Sequence, residues 1–325
     1  MTGRRLAVLG AGAVGGSVVE LADDYGHEVV AFADSSSAAV DPDGIDEAGA
    51  LDRKERAGAV GDGDPADALA ADYDVLVEAT PTTLGDAEPG YSHVEAALSR
   101  DRDVVLANKG PVAERFADVR ALERDSAGDL LFEATVGGAI PVLATLADYG
   151  PRNVSAARGI LNGTANFILS RMTAEGLGYE HVLAEAQDLG VAEADPAFDV
   201  QGTDAALKCV ILANVLSEAR ADDPADAREF QLADATVEGI EDIPGSALEL
   251  ASESGRTVRL VGEATPEGVR VGPRLVPPGS SLAVSGTRNL VQFEHEHCGQ
   301  LNLSGRGAGG PETAAAVLAD VGRLS

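Results

Sequence analysis

The chain has 325 residues, enough for two domains with separate cores, and its 45% hydrophobic content is that of an ordinary globular protein. A formal net charge of −30 and a pI near 4.3 argue against nucleic acid and anionic membrane surfaces as partners. The acids are dispersed among small residues, which fits a strongly hydrated surface for a high-salt cytoplasm, where repulsion is screened over only ~3 Å at 1 M salt.

Residues 6–19 are apolar, but four glycines interrupt them and no signal-cleavage pattern follows. No run approaches the ~20 apolar residues of a membrane span. Two cysteines, Cys209 and Cys298, form neither a disulfide framework nor a metal-ligand spacing. A soluble, cytoplasmic protein with reduced thiols is expected.

In chain order, Arg5–Leu9 reads as a buried strand, followed by Gly10-Ala11-Gly12-Ala13-Val14-Gly15 and a helix through Leu21 and Ala22. A glycine fingerprint between a strand and a helix suits a dinucleotide: its backbone approaches a pyrophosphate, which the helix N-terminus stabilises. A second strand, Glu28–Ala33, ends at Asp34, the expected acceptor for the adenosine ribose hydroxyls. Serines and not a basic residue follow Asp34, favouring NAD slightly over NADP; Arg53 and Lys54 lie further on and could reach a 2′-phosphate.

Residues 38–66 read as a polar loop with one short helix. Strands are expected at Asp74–Ala79, with Thr80 at its carboxyl end, at Asp103–Ala107, with Lys109 just beyond, and at Leu130–Thr135. Helices are expected around 91–100 and 112–125. The alternation predicts a Rossmann-type, doubly wound parallel sheet in which ligands bind at strand ends.

From Ala156 the pattern changes. Ala157–Leu161 reads as a strand leading into Asn162-Gly163-Thr164 and a helix, and residues 180–188 as another helix. Two surface helices are expected within 221–256. Strands then follow at Thr257–Glu263, Val269–Val276 and Leu290–His297, an antiparallel or mixed sheet that makes this half an α+β domain. A glycine-rich stretch at 301–310 leads into a helix at 312–322.

The stretch 188–216 carries the chemistry. The helix from Thr203 is apolar almost all round, as buried helices are, yet it contains Lys208, with Asp204 one turn earlier. A buried ammonium costs several kcal/mol unless paired, so folding alone would not choose it. The chain holds three lysines against 21 arginines, and an ammonium can give up a proton where a guanidinium cannot. The carboxylates of Glu193, Asp195 and Asp199 are brought toward the same region. By contrast, Glu294-His295-Glu296-His297-Cys298 reads as polar edge strand and not a metal cluster, and Cys209 as a small core side chain.

Four stretches give the chain its resemblance to homoserine dehydrogenase: Ala107-Asn108-Lys109-Gly110-Pro111-Val112; Glu133-Ala134-Thr135-Val136-Gly137-Gly138; Gly159-Ile160-Leu161-Asn162-Gly163-Thr164; and Ala192-Glu193-Ala194-Asp195-Pro196 through Asp199, Asp204 and Lys208. They run in the family's order, cover most of residues 5–216, and close with the glycines at 305–310. The chain ends without the regulatory ACT domain of some members and is similar to the short catalytic form.

The resemblance implies that 1–135 with 303–325 bind the nucleotide and that 136–302 serve catalysis and dimerisation. It implies reversible hydride transfer between L-aspartate 4-semialdehyde and L-homoserine with NAD or NADP, in a homodimer serving threonine and methionine biosynthesis. It implies that Lys208 is the proton donor, that Lys109 lies between cofactor and substrate, and that Glu193, Asp199, Asp204, Asn162, Gly163 and Thr164 bind substrate. Gly10, Gly12, Ala13, Val14, Gly15, Asp34, Thr80, Lys109, Gly307 and Gly309 would line the cofactor. Glu133 with the carbonyls of Val136, Gly138 and Ile140 matches a sodium site. The motif reads Asn162-Gly163-Thr164-Ala165 where the family more often has a second threonine. Two other readings compete. A semialdehyde dehydrogenase working through an acyl-enzyme would need a cysteine with a partner base, and a silent NAD(P)-binding sensor would have no use for a buried lysine.

Overall fold

Two six-stranded sheets organise the described residues, 3–324, of the computed structural model. One unit comprises 1–139 with 308–325 and the other 140–307.

The first unit begins with β1 (Arg5–Leu9), α1 (Ala13–Leu21) and β2 (Glu28–Ala33). Two elements lie within the stretch 38–66 expected to be mostly loop, β3 (Ala38–Val40) and α2 (Glu47–Ala57), and α3 (Pro65–Ala70) begins at its end. The chain continues with β4 (Val75–Glu78), α4 (Gly90–Leu98), β5 (Asp103–Leu106), α5 (Gly110–Glu114), α6 (Phe116–Arg124), β6 (Leu130–Leu131) and α7 (Ala134–Gly137). The sheet order is β3-β2-β1-β4-β5-β6. It is parallel except that β3 folds back antiparallel on β2, a correction to the all-parallel expectation. Leu6, Val8, Phe32, Val77 and Val317 are among the residues that fill the core.

Two further expectations fail for local reasons. The helix expected at 112–125 breaks at Arg115, which leaves helical geometry at φ −135° and ψ 34°. The strand expected at Leu130–Thr135 keeps only two residues of ladder. Beyond it, the Glu133 peptide donates to the buried Asp320 carboxylate and the Thr135 hydroxyl to the Phe132 carbonyl, so the chain turns into α7.

The second unit opens with α8 (Val142–Tyr149) and β7 (Val154–Ile160), followed by α9 (Gly163–Glu175), α10 (Tyr179–Asp188), α11 (Ala197–Val200) and α12 (Thr203–Arg220). Only one α-helix, α13 (Gly245–Glu253), follows where two were expected; two 3-10 turns and the short β8 (Thr236–Val237) take the other's place. The strands β9 (Thr257–Thr265), β10 (Gly268–Val276), β11 (Arg288–His295) and β12 (Gly299–Arg306) complete a sheet of order β12-β11-β7-β9-β10-β8. It is antiparallel except for β8 on β10. The edge strand β12 was not expected: Gly299-Gln300-Leu301-Asn302-Leu303-Ser304 alternates, but its many polar residues and glycines read as loop. The final helix, α14 (Gly310–Val321), belongs to the first unit and packs on α1.

Because β12 lies outside it, β11 is no edge strand, and the edge-strand reading of the histidines is corrected. His295 is buried; its Nε2 meets the Tyr149 carbonyl at 2.9 Å, and its Nδ1 accepts from the backbones of His297 and Cys298. This is a neutral ring closing a turn. Among the described residues no group of three or more acidic, histidine or cysteine side chains could hold a metal ion. No described helix is long and apolar enough to cross a membrane.

Candidate active site

The first unit offers a phosphate cradle. Gly10 leaves β1 at φ +105°, where a Cβ would collide with the Ala79 carbonyl at 2.3 Å. At Gly15 a Cβ would lie 1.8 Å from the Gly10 oxygen, so glycine lets the helix start close to the strand. Gly12, the N-cap of α1, has open space on its Cβ side. The first-turn peptide hydrogens of Ala13, Val14 and Gly15 have no intrahelical acceptor and carry the positive end of the helix dipole. A pyrophosphate fits there. Gly309, at φ +124°, begins α14, and Gly310 packs tightly against Ala13 and Ser17 of α1.

Asp34 ends β2 as expected, but its carboxylate is already engaged. Oδ1 accepts from the peptides and hydroxyls of Ser36 and Ser37, and Oδ2 pairs with Lys54 at 2.6 Å. Burial opposes ionisation here, yet the Lys54 ammonium and the serine donors outweigh it and hold the carboxyl well below the usual range. The two basic residues left open by the sequence therefore separate: Lys54 lies on Asp34, whereas Arg53 is bound to Asp62.

At the ends of β4 and β5, the Thr80 hydroxyl and peptide donate to Oε1 of the fully buried Glu78, and Asn108 Nδ2 donates back to the Thr80 hydroxyl at 3.2 Å. Asn108 Oδ1 accepts the Gly110 peptide, and the half-buried Lys109 is the N-cap of α5. The link from Glu78 through Thr80 to Asn108 has no signal in the sequence, because it joins the ends of two separate strands.

In the second unit, Lys208 lies in α12 with only 7% of its side chain exposed. Its Nζ donates to Asp204 Oδ2 at 2.7 Å and to the Leu161 carbonyl, just past β7, at 2.7 Å. Asn162 caps α9 by accepting the Ala165 peptide, and its Nδ2 donates to Asp204 Oδ2 at 2.9 Å and Asp199 Oδ1 at 2.6 Å. Asp199, Asn162, Asp204 and Lys208 thus form one hydrogen-bonded chain. Thr164 donates its hydroxyl to the Val191 carbonyl and Gln187 holds the carbonyls of Glu193 and Ala194, so the acidic loop is anchored while the Glu193 side chain stays exposed outside this chain. Gly163 passes close to Thr287, whose carbonyl would lie 2.9 Å from a Cβ. Cys209 is buried, and burial pushes its thiol up to about 12, which leaves no nucleophilic thiolate near neutrality.

Gly307 lies in the second unit against Asn289. Glu133, expected to hold sodium, is buried, and the Arg323 guanidinium that lies 4.0 Å from it is bound to Asp320 Oδ1 at 2.6 Å. Val136 and Gly138 share the first unit with it, and Ile140 opens the second.

A glycine-rich cradle between strand and helix and, in the other unit, a buried lysine held by a carboxylate and a carbonyl are the parts that a reaction in which two electrons and a proton leave a substrate would need. That is the work of the nicotinamide-dependent dehydrogenases. Sequence comparison narrows the class. The homoserine dehydrogenase NAD-binding domain matches residues 10–133, and the homoserine dehydrogenase domain matches 141–321. The chain is 36% identical to the homoserine dehydrogenase of Methanocaldococcus jannaschii, over 97% of each chain. It is 38% identical to the NAD(+)-dependent homoserine dehydrogenase of Pseudomonas canavaninivorans, over 76% of this chain and 70% of that one. The solved homoserine dehydrogenase of Thiobacillus denitrificans superimposes with a TM-score of 0.80 at 32% identity, covering 99% of this chain and 73% of the other. The chain belongs to the homoserine dehydrogenase family.

Proposed function

We propose that the chain interconverts L-homoserine and L-aspartate 4-semialdehyde with Lys208 as the proton carrier. The observation that supports this reading is the buried Lys208, bound by Asp204 and Leu161 through two of its three N–H donors. The third hydrogen is left for the substrate oxygen. In reduction, the ammonium protonates the alkoxide as it forms; in oxidation, the neutral amine takes the hydroxyl proton as the C–H bond breaks. Asp204 orients the amine, and Asn162 ties Asp204 to Asp199. Glu193 and Asp199 are suited to the substrate's ammonium. A nicotinamide dinucleotide bound on the first unit supplies the hydride acceptor or donor. Gly12, Ala13, Val14 and Gly15 hold its phosphates, and Thr80 and Lys109 stand at the strand ends.

NAD is favoured slightly over NADP, because Asp34 keeps its charge; Lys54 tempers the discrimination by neutralising it. A sodium ion at Glu133 and the carbonyls of Val136, Gly138 and Ile140 fits the resemblance, and no step runs through it. A cytoplasmic homodimer in threonine and methionine biosynthesis fits the resemblance, and the dispersed acidic surface fits a high-salt setting.

The test follows homoserine oxidation by the absorbance of reduced nicotinamide, with NAD and NADP in parallel. Wild-type turnover and its loss by about 1,000-fold or more in Lys208→Ala, with cofactor binding retained, are expected. Turnover largely unchanged in the variant would remove Lys208 from the mechanism. Cofactor binding without turnover in the wild type would revive the sensor reading.

A further inference from the structure

The backbone oxygen that holds Lys208 is shared. The Leu161 carbonyl accepts Lys208 Nζ at 2.7 Å and Asn289 Nδ2 at 2.9 Å, so both its lone pairs are taken. The sharing is built by sheet register. Leu290 pairs with Ile160 in the β11–β7 ladder, which brings Asn289 opposite Leu161, where β7 has ended. On the other side Asn289 pairs with Gly305 of β12. Gly307 closes the space: a Cβ there would lie 1.8 Å from Nδ2. The amide is 2% exposed and gripped on both faces.

Its other end is costly. Asn289 Oδ1 is buried with no hydrogen-bond partner among the described residues, and an unmatched buried acceptor is destabilising. An apolar side chain of similar size would fill the site without that cost. Packing therefore does not account for the amide, whose hydrogen bond among the described residues is to the carbonyl that holds Lys208.

We propose that Asn289 is a positioning residue for proton transfer, acting on Lys208 through the Leu161 carbonyl. This rests on the reading of Lys208 as the proton carrier. The amide pins the carbonyl, so the Lys208 amine keeps one place. It also competes for the oxygen's electron density, so the carbonyl holds the ammonium less tightly than it would alone. Charged groups near the amine include Asp204, in direct contact, Asp199, joined through Asn162, and Glu263 of β9, which acts on the neighbouring buried Cys209 thiol of α12. Without the amide, the carbonyl would be free to follow the ammonium and draw it from the reacting oxygen.

Two variants test this beside Lys208→Ala. Asn289→Ala should lower kcat for homoserine oxidation between about ten- and a hundredfold, with KM for NAD within about twofold of wild type. Its solvent deuterium isotope effect on kcat should rise, because misplacement makes proton transfer limiting. Asn289→Asp keeps the shape against Gly307 but replaces the donor by a carboxylate. It should move the rising limb of the kcat–pH profile to higher pH, since added negative charge favours the ammonium. Should the alanine variant fail to fold, the aspartate variant decides alone. An inactive Lys208→Ala together with wild-type isotope effects and pH profiles in the Asn289 variants, with only a lower Tm, would make Asn289 a packing residue and overturn the proposal. An active Lys208→Ala would instead remove the reading on which it depends.

Discussion

Each unit buries a polar cluster where strands end, and the two are built on opposite principles. At the end of β4, Glu78 is completely buried among neutral donors from Thr80, with His93 Nδ1 at 3.4 Å, and its Oε2 has no partner among the described residues. At the end of β7, Lys208 and Asp204 bury opposite charges 2.7 Å apart, and carbonyl and amide groups around them are matched to that charge. The first cluster shapes a turn: it fixes Thr80 and, through Asn108, the start of α5. The second pairs an ammonium with a carboxylate and, on the proposed function, carries the proton. Burial of polar groups is common to both, so burial by itself does not mark a reacting site; on that proposal the buried ammonium does.

Neutralising one carboxylate in each cluster, without changing its shape, puts the comparison at risk. Asp204→Asn leaves a buried ammonium without its counter-charge, and kcat for homoserine oxidation should fall about 100-fold or more, read in steady-state assays with NAD affinity unchanged. A loss under threefold would mean that the pair is structural. A smaller effect is expected from Lys54→Ala, which removes the ammonium from Asp34 but leaves the four serine contacts. The bare carboxylate then repels a 2′-phosphate, and the ratio of kcat/KM for NAD over NADP should rise about tenfold, or 1.4 kcal/mol. An unchanged ratio would show that Asp34 does not face the ribose. The smallest change should come from Glu78→Gln. It preserves the acceptor for Thr80 and removes an incompletely paired charge, so Tm should stay level or rise and stability should shift by about 1 kcal/mol. Turnover should stay within about threefold of wild type. Loss on the scale of the Asp204 variant would place the proton chemistry in both units.

Local chemistry made several features legible in the chain itself. The Gly10–Gly15 turn between a strand and a helix marks a phosphate cradle because few other sequences let a backbone turn and approach so closely. Lys208 stood out because an ammonium in an apolar helix must be paired or costly, and Asp204 lies at the one spacing that reaches it. Asn162 could be read in its motif, although its bond to both Asp199 and Asp204 depends on where α11 and α12 lie.

Other features were decided only when distant segments met. Arg53 and Lys54 are equivalent as letters, but successive helix residues point about 100° apart, so α2 delivers one to Asp62 and the other to Asp34. Residues 130–135 have strand composition; the Asp320 carboxylate, brought by α14 from the far end of the chain, captures the Glu133 peptide and turns them into α7. The edge strand β12 exists because β11 offers it a ladder, not because its polar, glycine-rich sequence favours extension. Asn289 carries no local signal at all. Its link to Lys208 passes through a backbone oxygen 128 residues away, and only the register of β11 on β7 makes that contact. Sequence determines what each residue can donate, accept or fit; strand register and helix rotation determine which residue receives it, because those depend on packing summed over the whole unit.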